Sequence, residues 1–171
     1  AGGLQHGSFA SMPLADHRRM LDLNVVGPTE MLVALLPDMI ERGSGRVINV
    51  ASIAAYQPVP TLATYAATKA YVLSLSEALA EELRGTGVTL TALCPGITDT
   101  NMVATASEQT NAFDLPGFLI GDADSVARTA YAAALAGDVG AAEDVLRQTR
   151  AQVVDRQIDG LRQPFELSVP Q

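Results

Sequence analysis

The chain has 171 residues, of which 48% are hydrophobic and 18% charged, and its formal net charge at pH 7 is −8. This length and composition predict a single globular domain. The acidic balance argues against a nucleic-acid partner and against docking on an anionic membrane, because both need a basic surface. Apolar stretches such as 31–36 are far shorter than the ~20 residues that span a membrane. The single cysteine, Cys94, excludes an internal disulfide and favours a cytoplasmic location, and no metal site is predicted.

A long helix is the first predicted element and covers residues 13–42. Pro28 and Pro37 interrupt its apolar pattern and are expected to kink it. Charged neighbours surround His17, which indicates that this imidazole faces solvent. His6 lies in the loop before the helix and is also predicted to be solvated.

Two strands separated by a second helix follow. β-branched apolar runs predict buried strands over residues 46–51 and 88–94, the first of them apolar on both faces. A strong helical pattern covers residues 62–84 and ends at a pair of glycines. Residues 43–45, Gly-Ser-Gly, run from a helix into a strand, which favours a helix end over a phosphate-binding turn. The order of elements predicts parallel strands joined by a right-handed crossover.

Three side chains with complementary chemistry are predicted near the end of the first strand. Ser52 follows that strand, and Tyr65 and Lys69, the only lysine in the chain, share one helix face because they are four residues apart. A free tyrosine has a pKa near ~10, and a nearby ammonium favours the phenolate and lowers that pKa. The serine hydroxyl can donate to a carbonyl oxygen that gains negative charge. The set predicts proton exchange with a carbonyl or an alcohol, although Ser52 alone also fits a strand-end cap.

The S-x12-Y-x3-K spacing resembles the active site of the short-chain dehydrogenases/reductases. Four further motifs resemble that family and occur in its order: Ala1-Gly2-Gly3, Leu21-Asp-Leu-Asn24-Val-Val-Gly27, Gly45-Arg-Val-Ile-Asn-Val-Ala-Ser52 and Cys94-Pro-Gly-Ile-Thr-Asp-Thr100. The resemblance covers residues 1–137 and implies the catalytic portion of a Rossmann-type α/β domain. Its doubly wound parallel sheet is expected to be partial, with only the later strands and helices present.

The resemblance implies a role for each matching residue in an oxidoreductase. Tyr65 is expected to be the general acid and base, Lys69 to lower its pKa and bind the nicotinamide ribose, and Ser52 to polarise the substrate carbonyl. By spacing alone, Asn24 is a core amide satisfied by backbone; the resemblance instead implies that it holds a water linking the lysine to solvent. The residues expected to contact NAD or NADP are Ala1, Gly2, Tyr65, Lys69, Pro95, Gly96, Ile97, Thr98 and Thr100.

The resemblance also implies partners. We expect a small-molecule carbonyl or alcohol substrate and a homo-oligomer, dimer or tetramer, formed through helices 13–42 and 62–84. Residues 101–121 fit either a substrate lid or plain packing, and an isomerase or dehydratase on the same fold is the lesser alternative. The sequence does not distinguish NAD from NADP.

The two ends of the chain depart from the family pattern. A helix is predicted over residues 122–136, after which residues 138–171 read as a divergent polar helical tail, either an extension or the product of a reading-frame shift. No strand followed by G-x-G-x-x-G occurs, so the sequence predicts a fragment without the amino-terminal cofactor-binding half. The alternative function is therefore a non-catalytic fragment that cannot bind the dinucleotide and persists only by assembly.

Overall fold

The structure, a computed structural model, describes residues 2–98 and 121–136. The expected lid and the helical tail over 138–171 lie outside the described residues. The described elements are, in chain order, α1 (Leu14–Leu21), a π-helical turn (Asp22–Val26), α2 (Gly27–Glu41), β1 (Gly45–Val50), a 3-10 turn (Ile53–Tyr56), α3 (Ala63–Glu82), β2 (Val88–Leu93) and α4 (Ala123–Ala136).

The first predicted helix is continuous but changes its winding in the middle. The irregularity is the π-helical turn Asp22–Val26, which lies before Pro28 and not at a proline kink. Pro28 occupies the first turn of α2, where a proline is tolerated, and Pro37 lies inside α2. Because Pro28 has no N–H, the carbonyl of Asn24 cannot receive the bond that an α-helix would supply from position 28. The π turn places the Asn24 side chain in the interior, with 2% of it exposed.

The two strands pair in parallel, as predicted. The register runs from Gly45 opposite Val88 to Val50 opposite Leu93. The ladder extends one residue further, since the Ala51 N–H donates to the Leu93 carbonyl at 2.7 Å. Both strands therefore end at the same edge, where ligands bind in open α/β sheets.

Helix α3 covers one face of the strand pair. Val72 and Leu73 of α3 pack against Ala51, Ala92 and Cys94 in a buried cluster. A second cluster joins α2, α3 and β2 at the other end of the sheet, through residues that include Leu32, Leu36, Leu83, Val88 and Leu90. Cys94 is a buried free thiol, as its sequence context suggests.

The prediction that β1 is buried on both faces is wrong for the described residues. Its positions alternate between part-buried and exposed, and Ile48 and Val50 are 37% and 40% exposed. Within residues 2–98 and 121–136, β1 has β2 as its single strand neighbour. A strand is buried on both faces only where other elements cover both faces of the sheet, so the alternation means that one face of β1 is left largely uncovered by the described residues. Its single strand neighbour also makes β1 an edge strand there.

The helical segment Leu14–Glu41 exposes much of its apolar surface. By length and composition its 28 residues suffice to cross a membrane, with a mean hydropathy of 1.3 in its most apolar window, of which 11% is buried. This criterion is met although the individual apolar runs are short. Two of its side chains, His17 and Asn24, are buried polar groups bonded to other parts of the fold, which ties this helix to the α/β unit.

Candidate active site

Ser52 stands at the shared carboxyl edge of the strands. Its backbone is extended, and its side-chain oxygen accepts a hydrogen bond from the Ala54 N–H at 3.2 Å, which caps the 3-10 turn. The residue is 9% exposed. Ser52 is therefore both a cap and a hydroxyl at the sheet edge, and its O–H remains available as a donor because the cap uses the oxygen as acceptor.

Tyr65 and Lys69 bring their side chains to the same edge from α3. They are 6% and 4% exposed, so both groups are buried. The Lys69 ammonium donates to the Val50 carbonyl at 2.9 Å and lies 5.7 Å from the centre of the Tyr65 ring. Ser52 lies close enough to Tyr65 for its hydroxyl to lower the pKa of the phenol. The three predicted side chains thus lie together at the end of β1.

Burial, more than charge, sets the ionisation of this pair. It raises the pKa of Tyr65 above its ordinary value near 10.0, and the Ser52 hydrogen bond acts in the opposite direction. Burial likewise lowers the pKa of Lys69 from 10.5. The predicted lowering of the tyrosine pKa by Lys69 is therefore wrong for this structure. The physical reason is that a buried ammonium bonded to a strand carbonyl cannot offset the loss of solvent around the phenol.

Asn24 connects three parts of the site through its side-chain amide. Its oxygen accepts from the Gly3 N–H at 2.8 Å, and its NH₂ group donates to the Gly3 carbonyl at 2.9 Å and to Thr68 Oγ1 at 3.1 Å. Thr68 in turn donates to the Tyr65 carbonyl at 2.7 Å. Both amide hydrogens are used, so the side chain is the bonded core amide that its spacing favours. The main-chain carbonyl of Asn24 is the group that Pro28 leaves without an α-helical donor.

The backbone at Gly2, one of the residues expected to contact the cofactor, passes close to the side chains of Lys69 and Asn24. A Cβ on Gly2, whose φ is +155°, would lie 3.3 Å from Lys69 Nζ and 3.4 Å from Asn24 Oδ1. The absence of a side chain at Gly2 leaves space beside the Lys69 ammonium. The described residues include no glycine-rich turn that precedes a helix in the context needed to hold the phosphates.

The segment after β2 supplies the other expected cofactor contacts. Pro95 and Gly96 follow the strand, and the Pro95 carbonyl accepts from the Ile53 N–H at 3.0 Å. The Ile97 carbonyl accepts from the Gly121 N–H at 2.7 Å, and Thr98 Oγ1 donates to the Gly96 carbonyl at 3.2 Å. This segment therefore lies beside Ser52 with a fixed backbone. Ala1 and Thr100 lie outside the described residues.

The sequence prediction placed two histidines in solvent, and the structure gives both specific partners. His17 is 9% exposed and lies in bonding distance of Thr64 and Phe9. His6 is part-buried and bonds Thr61 at 2.9 Å. The missed signal is that His17 precedes the buried Met20 by three residues and so shares its face of α1. The charged neighbours of His17 lie on other faces of the helix.

Comparison with known proteins supports an assignment of class. The family described as short chain dehydrogenase matches residues 1–111. The chain is 40% identical over 91 residues to "Ketoacyl reductase HetN" from Nostoc, a segment that is 53% of this chain and 32% of that protein. It is 39% identical over 118 residues to "Probable oxidoreductase EphD" from Mycobacterium tuberculosis, covering 68% of this chain and 19% of that protein.

The fold agrees with a solved structure of the same class. A short-chain dehydrogenase from Sphingobium yanoikuyae in complex with NADPH aligns with a TM-score of 0.72 at 23% identity, over 100% of this chain and 65% of that chain. The fold is therefore that of the Rossmann-type dehydrogenases. The chain belongs to the short-chain dehydrogenase family, a family of NAD(P)-dependent oxidoreductases. It spans a third or less of these two curated relatives.

Proposed function

We propose that this chain carries the catalytic residues of an NAD- or NADP-dependent oxidoreductase that interconverts a carbonyl and an alcohol. The observation that supports it is the meeting of Ser52, Tyr65 and Lys69 at the carboxyl end of β1, with both helix groups buried. The cofactor, when bound, supplies hydride exchange with the substrate carbon. The chain's own residues bind and orient the substrate and the cofactor, and they exchange a proton with the substrate oxygen.

Each residue has a stated task in this proposal. The Ser52 hydroxyl donates to the substrate oxygen and stabilises the charge that develops there. The Tyr65 phenol gives its proton to that oxygen in reduction, and its phenolate takes the proton in oxidation. A phenol is protonated at neutral pH whether or not burial raises its pKa, so Tyr65 holds the proton that carbonyl reduction needs. Lys69 faces the space beside Gly2 and would bind the ribose there.

We propose that Asn24 supports proton supply through its backbone. Its side-chain amide is committed to Gly3 and Thr68. Its main-chain carbonyl, which Pro28 deprives of the α-helical donor, is the acceptor that would hold the water linking Lys69 to solvent. This assignment keeps the expected relay and gives the water-holding role to the main-chain carbonyl.

The decisive experiment for the proposed function is Tyr65→Phe in the full-length protein. Loss of the phenolic proton should lower kcat by about 100-fold or more, the usual contribution of a general acid. Binding of NAD(H) or NADP(H), followed by fluorescence, should remain near the wild-type Kd. Tyr131→Phe is the matched control, since this tyrosine is 64% exposed and should leave kcat unchanged. Wild-type turnover in Tyr65→Phe would refute the mechanism.

A second candidate is a non-catalytic chain that persists through assembly. It is favoured by the exposed side chains of β1 and by exposed apolar residues along α1 and α2, among them Met31 at 63% and Val33 at 71%. The same surface supports a proposed homo-oligomer through the helices. Light scattering after size exclusion, with and without Val33→Asp, tests the assembly. A monomeric chain that binds NAD(H) or NADP(H) would rule out this second candidate.

A further inference from the structure

A short strap, residues 6–9, lies along the backbone that leads into Tyr65. The Gly7 N–H donates to the Thr61 carbonyl at 2.9 Å, and His6 Nε2 lies 2.9 Å from Thr61 Oγ1. Thr61 has a φ of 65°, a left-handed conformation that is unusual for a β-branched residue and persists where neighbours hold it. The strap therefore fixes a strained position four residues before the tyrosine.

His17 joins the far end of this strap to the first turn of α3. Its Nε2 lies 3.2 Å from the Phe9 carbonyl, and its Nδ1 lies 2.7 Å from Thr64 Oγ1. The imidazole also contacts the Phe9 ring, with centroids 4.6 Å apart. Met20, on the same face of α1, belongs to the same buried cluster as Tyr65. One face of α1 thus contacts both the strap and the amino end of α3.

The partners define how the imidazole is bonded. A backbone carbonyl only accepts, so His17 Nε2 must carry the hydrogen that goes to Phe9. In the neutral ring Nδ1 then has a free lone pair, and the Thr64 hydroxyl donates to it. Both ring nitrogens are satisfied in one tautomer. A group bonded at both ends in this way is a rigid brace between two segments.

The amino end of α3 lacks the usual local support. Its N-cap position is Leu62, which has no side-chain capping bond, and the first N–H groups of a helix have no partners within the helix. Tyr65 lies in this first turn. The position of Tyr65 therefore depends on tertiary contacts. One of these is the bond between His17 and Thr64, the residue directly before the tyrosine.

We propose that His17 is a positioning residue for Tyr65: by bonding Thr64 and the Phe9 carbonyl it holds the uncapped first turn of α3, so that the phenol faces Ser52. The proposal rests on the proposed function only for the effect on turnover. The geometric claim stands on the contacts alone. It assigns a role in the reaction to a residue outside the Ser-Tyr-Lys set.

The test uses paired variants that separate the bond from general stability. Thr64→Val keeps the shape of the side chain but removes the hydroxyl, and Thr64→Ser keeps the hydroxyl. His17→Asn retains an acceptor at the Nδ1 position toward Thr64, whereas His17→Gln retains only a donor at the Nε2 position toward Phe9. Thr64→Val and His17→Gln should behave alike, and Thr64→Ser and His17→Asn should stay near the wild type.

Two readouts are taken on the full-length protein. The first is the ring-carbon NMR titration of Tyr65, assigned by its loss in Tyr65→Phe. Release of the first turn should lower the Tyr65 midpoint toward the ordinary tyrosine value, because burial is the main cause of its elevation. The second is turnover, where kcat should fall about tenfold or more with the KM for cofactor unchanged, since small misplacements of a catalytic group have effects of this size.

The outcomes distinguish the two proposals. A wild-type Tyr65 titration and wild-type kcat in Thr64→Val would overturn the positioning role. Equal losses in Thr64→Val and Thr64→Ser, with a matching shift of the exposed Tyr131 signal, would also overturn it by showing a general structural effect. Wild-type turnover in Tyr65→Phe refutes the proposed function instead, and the Tyr65 resonance then still tests the positioning claim.

Discussion

Replacing Asn24 by alanine tests the central link of the site. The substitution removes two bonds to the Gly3 backbone and one to Thr68, all between 2.8 and 3.1 Å. A buried group left without its partner costs about 1–3 kcal/mol, and a bond whose partners reach water costs about 1 kcal/mol or less. Gly3 is part-buried, so water recovers part of the loss there, while Thr68 is 1% exposed.

The expected loss in the free energy of unfolding is therefore about 3 kcal/mol. A loss of this size raises the equilibrium constant of unfolding by more than about a hundredfold. It is a large share of the ~5–15 kcal/mol that stabilises a typical domain. Urea denaturation followed by far-UV circular dichroism measures it. Asn49→Ala is the matched control: it removes one bond, from Asn49 to the buried Ser76 Oγ at 2.9 Å, instead of three, so its cost should be smaller, about 1–2 kcal/mol. If Asn24→Ala loses no more than Asn49→Ala, the linking role of the amide is refuted.

Two further predictions concern charge and backbone. Lys69 has a lowered pKa in the folded state, so the native chain releases this proton first and the Lys69 contribution to stability should rise with pH between that folded pKa and 10.5. Burial raises the pKa of Cys94 above 9.0, so the Cys94 contribution falls as the pH rises above about 9.0. In urea titrations below pH 10, the stability of Lys69→Met relative to the wild type should therefore fall with rising pH; a difference that does not change with pH would contradict the assigned burial. Gly85→Ala and Gly87→Ala both place alanine at a positive φ, of 78° and 79°. Only at Gly87 would the new Cβ collide with the Gly43 backbone, so Gly87→Ala should lower Tm far more, and equal shifts would count against the packing described.

Patterns that depend on local periodicity were predictable. The β-branched runs give β1 and β2, their order gives the parallel pairing, and the four-residue spacing places Tyr65 and Lys69 on one face of α3. Ser52 follows the end of a strand, so its meeting with that face follows from the topology of a parallel sheet. The meeting of Ser52, Tyr65 and Lys69 at one edge of the sheet could therefore be predicted from the sequence.

Features that depend on tertiary contacts were not predictable. A regular helical periodicity does not predict the π turn at Asp22–Val26. This turn alters which side chains share a helix face before and after Asn24. The burial of His17 depends on the strap that folds over α1, and that strap has no periodic pattern of its own. The direction of the Tyr65 pKa shift depends on how far the fold excludes solvent from the phenol. The types of the neighbouring residues in the sequence do not specify that burial.

The hydrogen bonds around Asn24, His17 and the strap join residues that are distant along the chain. Asn24 and Thr68 are 44 positions apart, His17 and Thr64 are 47 apart, and His6 and Thr61 are 55 apart. Each such contact closes a long loop, and closing the loop lowers the entropy of the chain. The contact stabilises the fold only after that entropic cost has been offset. Helices α1 and α3 can form from local contacts, but the geometry of the site arises only with tertiary docking. On refolding, a native Tyr65 environment should therefore return in step with tertiary structure, later than helical content.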